Sequence, residues 1–158
     1  MSELVVRNRQ RVRRVNTPLL RRVIRSLLAD DFGTHDYQLC VHLVGMVEMA
    51  RVNRQFLNHQ GSTDVITFCH AGETEAQSEL HGELFVCVDE AVLQAREFRA
   101  TWQSEIVRYI LHGILHLRGH DDKQAAARRR MKREENRRLR ALARRFSFSK
   151  LERAPART

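Results

Sequence analysis

The segment HGILHLRGHDD at residues 112–122 sets two histidines four apart, a glycine three further on, and then His120, Asp121 and Asp122. On a helix, side chains at i and i+4 stand one above the other, so His112 and His116 are close enough to share one ion. Neutral imidazoles suit a borderline-soft divalent cation, and the expectation is one divalent ion, zinc. Gly119 follows the last apolar turn and can take the left-handed conformation that ends a helix. The chain then swings His120, Asp121 and Asp122 back toward the pair. Asp122 supplies the third ligand, with His120 as its rival, and a fourth position stays open, as a catalytic rather than a structural zinc site requires. The other histidines, His35, His42, His59, His70 and His81, show no such spacing and read as ordinary.

The same stretch fits H-E-x-x-H-x-x-G-x-x-H, the zinc motif of metzincin peptidases, with two changes. Gly113 stands where the peptidase carries its general-base glutamate, and Asp122 where it carries its third histidine. Without an acid at 113 no carboxylate is placed to activate water against a peptide bond. That argues against proteolysis.

A helix over 103–117 must present these residues. Val107, Ile110, Leu111 and Ile114 follow the i, i+3, i+4, i+7 pattern of a buried stripe, which turns His112 and His116 to the opposite side with Tyr109 and Glu105. Further helices are expected after Thr17–Pro18 (Thr17 as N-cap), over 46–57, over 90–99 and over 124–146. Strands are expected at Val5–Val6, 37–44, 64–68 and 83–88, all rich in Val, Ile, Leu and Phe. The class is α/β (α+β): a small mixed sheet of about four strands covered by helices, with a zincin-like metal site on a central helix. Residues 1–146 read as one domain and 147–158 as a disordered tail.

The chain has 158 residues, and its 28 Lys and Arg against 19 Asp and Glu give a net charge of +9 and a pI near 10.6. Such a balance favours a polyanionic partner, of which nucleic acid is the commonest. Three cysteines with no C-x-x-C pair argue against a disulfide framework and suit a reducing compartment. Cys40 and Cys87 lie in apolar runs and read as small hydrophobes. The N-terminal stretch lacks the apolar core of a signal peptide, and no window approaches a membrane span. A cytoplasmic protein with no membrane association and no small-molecule cofactor is expected.

HGILHLRGHDD resembles the signature H-G-x-L-H-L-x-G-Y-D-H of the YbeY endoribonucleases. TDVITF at 63–68 is similar to that family's T-D-V-[LI]-[ST]-F strand, GELFVC at 82–87 to its G-[DE]-I strand, and VNRQFL at 52–57 to the segment before them. Together these span about residues 37–122, in the same order and at compatible spacings. The resemblance implies a single-domain α/β fold and a metal-dependent, single-strand-specific endoribonuclease. It also implies maturation of ribosomal RNA, notably the 3′ end of the small-subunit RNA, and ribosome quality control. The partners it implies are ribosomal RNA and the small subunit, with a ribosomal protein or an assembly GTPase assisting. Three positions depart from the pattern: Asp122 stands for the third histidine, His120 for the usual Tyr, and Leu57 for an Arg thought to aid cleavage. That last role falls vacant or passes to Arg54 or Arg51.

Candidate catalytic residues are therefore Arg54, to offset charge on the transition state, and Glu105, with Asp64 as the other candidate base. The stretch 127–145 is a second candidate RNA surface. Its basic side chains, Arg129, Arg130 and Arg133 among them, surround a narrow apolar stripe of Met131, Leu139, Leu142 and Phe146. The alternative is a solvated helix whose Glu134 and Glu135 pair with nearby arginines.

Overall fold

The computed structural model describes residues 2–71, 79–120 and 122–155. Strand β1 (Ser2–Asn8) leads through helix α1 (Thr17–Ser26) to strand β2 (Asp36–Val44), and helix α2 (Met46–Leu57) follows. Strands β3 (Val65–Cys69) and β4 (Glu79–Cys87) come next, then helices α3 (Val88–Glu97), α4 (Trp102–Leu117) and α5 (Ala125–Arg145). Among the described residues the sheet has four strands in the order β1-β2-β4-β3. The pairs β1–β2 and β2–β4 are parallel, while β3 runs antiparallel to β4 at the edge. This is the small mixed sheet expected.

Local chemistry sets the element ends. The Asn16 side chain accepts the Leu19 N–H at 3.2 Å and Pro18 sits in the first turn, so Asn16 rather than Thr17 caps α1. Asn58, at φ 55°, closes α2 in the left-handed region, which Asn tolerates better than most residues.

Strand alternation divides the core in two. Tyr37, Leu39, Val41 and Leu43 of β2 and Leu80, Leu84 and Val86 of β4 face one side and bury against α1 and α4. On the other side α2 covers only one end of the sheet, closing Met49 and Val52 over Val44, Ile66 and Cys87. The 37–44 strand is thus half open on that side: Gln38 and Cys40 are only partly buried.

The segment from Ser147, expected to be a disordered tail, is instead docked over residues 147–155. Phe148–Leu151 forms a 3-10 turn whose Leu151 is fully buried in the main core. Asn16 N–H donates to Leu151 O at 2.7 Å, and Arg153 N–H donates to Arg14 O at 2.8 Å. An apolar anchor and backbone pairing offset the entropy of ordering it. Among the described residues, no helix is long and apolar enough to cross a membrane.

Helix α4 lies unusually close to the sheet because two glycines face each other's element. A Cβ at Gly113 would stand 2.6 Å from Leu84 Cδ2; a Cβ at Gly82 would stand 2.6 Å from Leu117 Cδ2 and 2.9 Å from the Phe68 carbonyl oxygen. The carbonyl belongs to a paired strand and cannot retreat. Gly82→Ala should therefore destabilise the protein by about 1–3 kcal/mol, the usual range for overpacking, read as a lower urea midpoint. An unchanged midpoint would show that the helix has slack against β4.

Candidate metal centre and its cleft

Helix α4 starts where Thr101 Oγ1 accepts the Ser104 N–H at 3.1 Å. Ile106, Val107, Ile110, Leu111, Ile114 and Leu115 are all buried in the core, which turns His112 and His116 toward the β3 edge. Gly113 is the helix's closest approach to Leu84 and the Thr67 hydroxyl. The position that holds a general-base glutamate in metzincins is here sealed against the sheet.

The end of α4 brings the chain back. Gly119 N–H donates to His116 O and His120 N–H to Leu115 O, both at 3.0 Å, with Gly119 at φ 94°. These are the two bonds of a Schellman ending. Asp122 Oδ2 then lies 3.5 Å from His116 Nε2 and 3.8 Å from His112 Nε2, and the two imidazole nitrogens are 3.1 Å apart. Tetrahedral zinc with bonds of 2.0–2.1 Å separates its donors by about 3.3 Å. The three donors thus fit one such ion after shifts of a few tenths of an ångström. The His112 and His116 side chains are 27% and 29% exposed, so the cluster is open to solvent on one side. His120 stands outside this group, in the neighbouring hollow.

Behind the pair lies a carboxylate. Glu135 of α5 is buried, and its Oε2 is 3.1 Å from His112 Nδ1. An ionised carboxylate only accepts, so Nδ1–H must donate and Nε2 is left facing His116 and Asp122. Burial, the largest influence on His112, disfavours its charged form. The hydrogen bond to Glu135 and the charges of Glu135, Asp64 and Asp122 outweigh it and raise the pKa above the ordinary histidine value. Sequence reasoning placed Glu135 among arginines. It sits 3.9 Å from Arg108 Nη1, but its closer partner is His112, while Glu134 alone pairs with Arg137 and Arg138. The available signal was position: Glu135 falls four residues after Met131 and four before Leu139, on the docking stripe itself.

The donors open into a cleft of about 460 Å³ whose walls include Leu57, Asp64, Val65, Thr67, Cys69 and Leu117. No arginine or lysine is among its described lining residues. Arg54 is exposed on α2 and does not line the cleft; Leu57, one turn later, does. Glu105 is seven residues from His112, about 10 Å along the helix, so it does not join the donors. Burial pushes its carboxyl pKa up, against the pull of Arg108. Asp64 is the carboxylate that reaches the cleft. Beside it, a hollow of about 730 Å³ is lined by Gly119, His120, Arg130 and Arg133. Arg129 is exposed on the same helix but outside that lining. Other basic residues nearby serve the fold: Arg138 stacks on Phe32 at 4.0 Å and Arg145 pairs with Asp31.

The family model for endoribonuclease YbeY matches residues 5–143. A Chlorobium luteolum protein named Endoribonuclease YbeY is 30% identical, over 90% of this chain and 99% of its own length. A Geobacter metallireducens protein of the same name is 34% identical, over 84% and 91%. One from Parabacteroides distasonis is 40% identical, over 71% and 76%. A solution structure from Thermotoga maritima superposes with a TM-score of 0.67 at 24% identity, over 96% of this chain and 97% of that one, which shows the shared fold. With a family match across most of its length and relatives at this level of identity, the chain belongs to the YbeY endoribonuclease family.

Proposed function

We propose that this member of an endoribonuclease family cuts single-stranded ribosomal RNA with the help of one zinc-type ion held by His112, His116 and Asp122. The observation that carries the reading is the donor triad at the floor of an open cleft, with Glu135 bonded behind it. When bound, the ion supplies Lewis-acid polarisation at a scissile phosphate and acidifies water there.

The protein's own groups do the rest. Glu135 fixes the tautomer and plane of His112, so its free nitrogen faces the other donors. Asp122 adds a negative charge where the family pattern has a neutral histidine, which leaves the centre less positive. Asp64, which lines the cleft, is the base assigned here to take a proton from water or from a ribose 2′-OH. Gly113 keeps the helix against the sheet and leaves no room for a peptidase glutamate. Arg130 and Arg133, along the adjoining hollow, would bind phosphates on either side of the cut. Maturation of the small-subunit 3′ end, ribosome quality control, help from a ribosomal protein or assembly GTPase, and residence in the cytoplasm belong to the same proposal. They rest on family membership and on the +9 charge.

A second reading has its own support. Leu57, which lines the cleft, stands where the resembled family pattern has Arg, and no described lining residue is an arginine or lysine. A ribosome-binding factor that no longer cuts would look like this.

Cleavage of a small-subunit rRNA precursor by wild type and His112→Ala/His116→Ala decides between them. Losing several kcal/mol of metal stabilisation should lower the rate about 10³-fold in the double variant. Equal cleavage by both would refute the site. No cleavage by either, with binding to ribosomal particles retained, would favour the binding factor. Separately, Arg129→Gln/Arg130→Gln/Arg133→Gln should weaken RNA binding and flatten its dependence on log salt by up to about 2, at ~0.7 per phosphate contact on single strands. An unchanged slope would remove α5 from the RNA surface.

A further inference from the structure

The sheet face opposite the α4 site holds a second set of donors. Cys40 and His42 are two apart on β2 and so point to the same face, and Glu83 is the register partner of Cys40 on β4. Cys40 Sγ lies 3.4 Å from His42 Nε2, and His42 Nε2 lies 2.5 Å from Glu83 Oε2. All three donor atoms are within 4.8 Å of one another. His70, just past β3, places its Nε2 3.4 Å from the other Glu83 oxygen, Oε1. A sulfur, an imidazole and a carboxylate thus converge across two strands, and the exposed His70 side chain, held at the other Glu83 oxygen, is within a side-chain rotation of joining them.

Three features distinguish this group from an ordinary buried His–Glu pair. The His42 ring is stacked on Phe85, with centroids 4.4 Å apart and planes 16° from parallel, which fixes the direction of its Nε2. The donors lie under a depression of about 310 Å³, at the end of the sheet that α2 leaves uncovered. Glu83 alone serves two histidines, and the thiol beside it is a donor that neither histidine requires for its hydrogen bond. A thiolate and a carboxylate would together balance a divalent charge. Bonds of 2.3 Å to sulfur and 2.0–2.1 Å to nitrogen and oxygen separate donors by about 3.3–3.5 Å. The Cys40–His42 distance already meets this; the His42–Glu83 contact must open by under ~1 Å.

We propose that Cys40, His42, Glu83 and His70 form a second metal site, closed by four protein donors and selective for zinc-type cations. The thiolate excludes calcium and magnesium as native occupants, since those ions take oxygen donors. Four protein ligands leave no open position, so the ion would brace β2 against β4 and β3 and would not enter the cleavage reaction. This reverses the sequence reading of Cys40 as a plain hydrophobe and of His42 and His70 as ordinary. The site stands apart from the ribonuclease proposal, and either can fail without the other.

Cobalt(II) reports the two sites separately, because only a thiolate ligand gives the near-ultraviolet sulfur-to-cobalt charge-transfer band. The full chain should be used in a Cys69→Ser background, since Cys69 lines the first cleft. That protein should take up two cobalt ions and show the band. Adding Cys40→Ser should remove the band and one ion. Adding His112→Gln/His116→Gln should remove one ion and leave the band. His70 is 46% exposed, so His70→Asn keeps the fold and should weaken the band-forming ion at least tenfold. No band in the background protein, a band surviving Cys40→Ser, ion uptake unchanged by Cys40→Ser, or affinity indifferent to His70 would overturn the proposal.

Discussion

At Gly113 and Gly82 helix α4 and the sheet approach more closely than a Cβ at either position allows, and the position of the cleft depends on that approach. With one side of α4 fixed on Leu84, the angular geometry of the helix leaves His112 and His116 facing the β3 edge. Leu117 closes over Gly82, so the helix ends at a fixed height, and the Schellman turn at Gly119 returns the chain toward the histidines. The two histidine donors are therefore set by packing at the sheet, and Asp122 by the turn that follows the helix. The same contact leaves the metzincin-like spacing without room for a peptidase glutamate, because position 113 is sealed against Leu84 and Thr67.

Helix α5 contributes a second constraint. Its sequence reads as a solvated basic helix, yet it buries Met131, Glu135 and Leu142. Burying a carboxylate is unfavourable unless it is paired. Here its partners are the His112 imidazole at one oxygen and Arg108 near the other, and the hydrogen bond to His112 also orients that ring. Charge elsewhere on the helix divides by role. Arg138 and Arg145 hold α5 to Phe32 and Asp31, while Arg129, Arg130 and Arg133 are left to solvent and any phosphate that arrives.

Much of this was legible in the sequence because it is local. The i, i+4 histidines, the terminating glycine and the strand and helix runs each depend on neighbours a few residues away, and the observed elements match them closely. Long-range features were not legible. Glu135 meets His112 across 23 residues; its place on the apolar stripe marks it as buried, but not which group it meets. The Cys40–His42–Glu83 group needs the β2–β4 register before its members are neighbours. The docked segment 147–155 reads as a terminal tail, but Leu151 supplies one apolar anchor and the backbone of residues 14–16 supplies partners.

The proposed metal centre depends on His112 being held by Glu135 with its Nε2 free for a ligand. Long-range ¹H–¹⁵N correlation of the histidine rings in the metal-free protein, at a pH above the His112 titration, measures this directly. His112 should be the Nδ1–H tautomer in the wild type and lose that preference in Glu135→Ala. A wild-type His112 carrying its proton on Nε2 would contradict the account, since the nitrogen assigned to the ion would already be occupied.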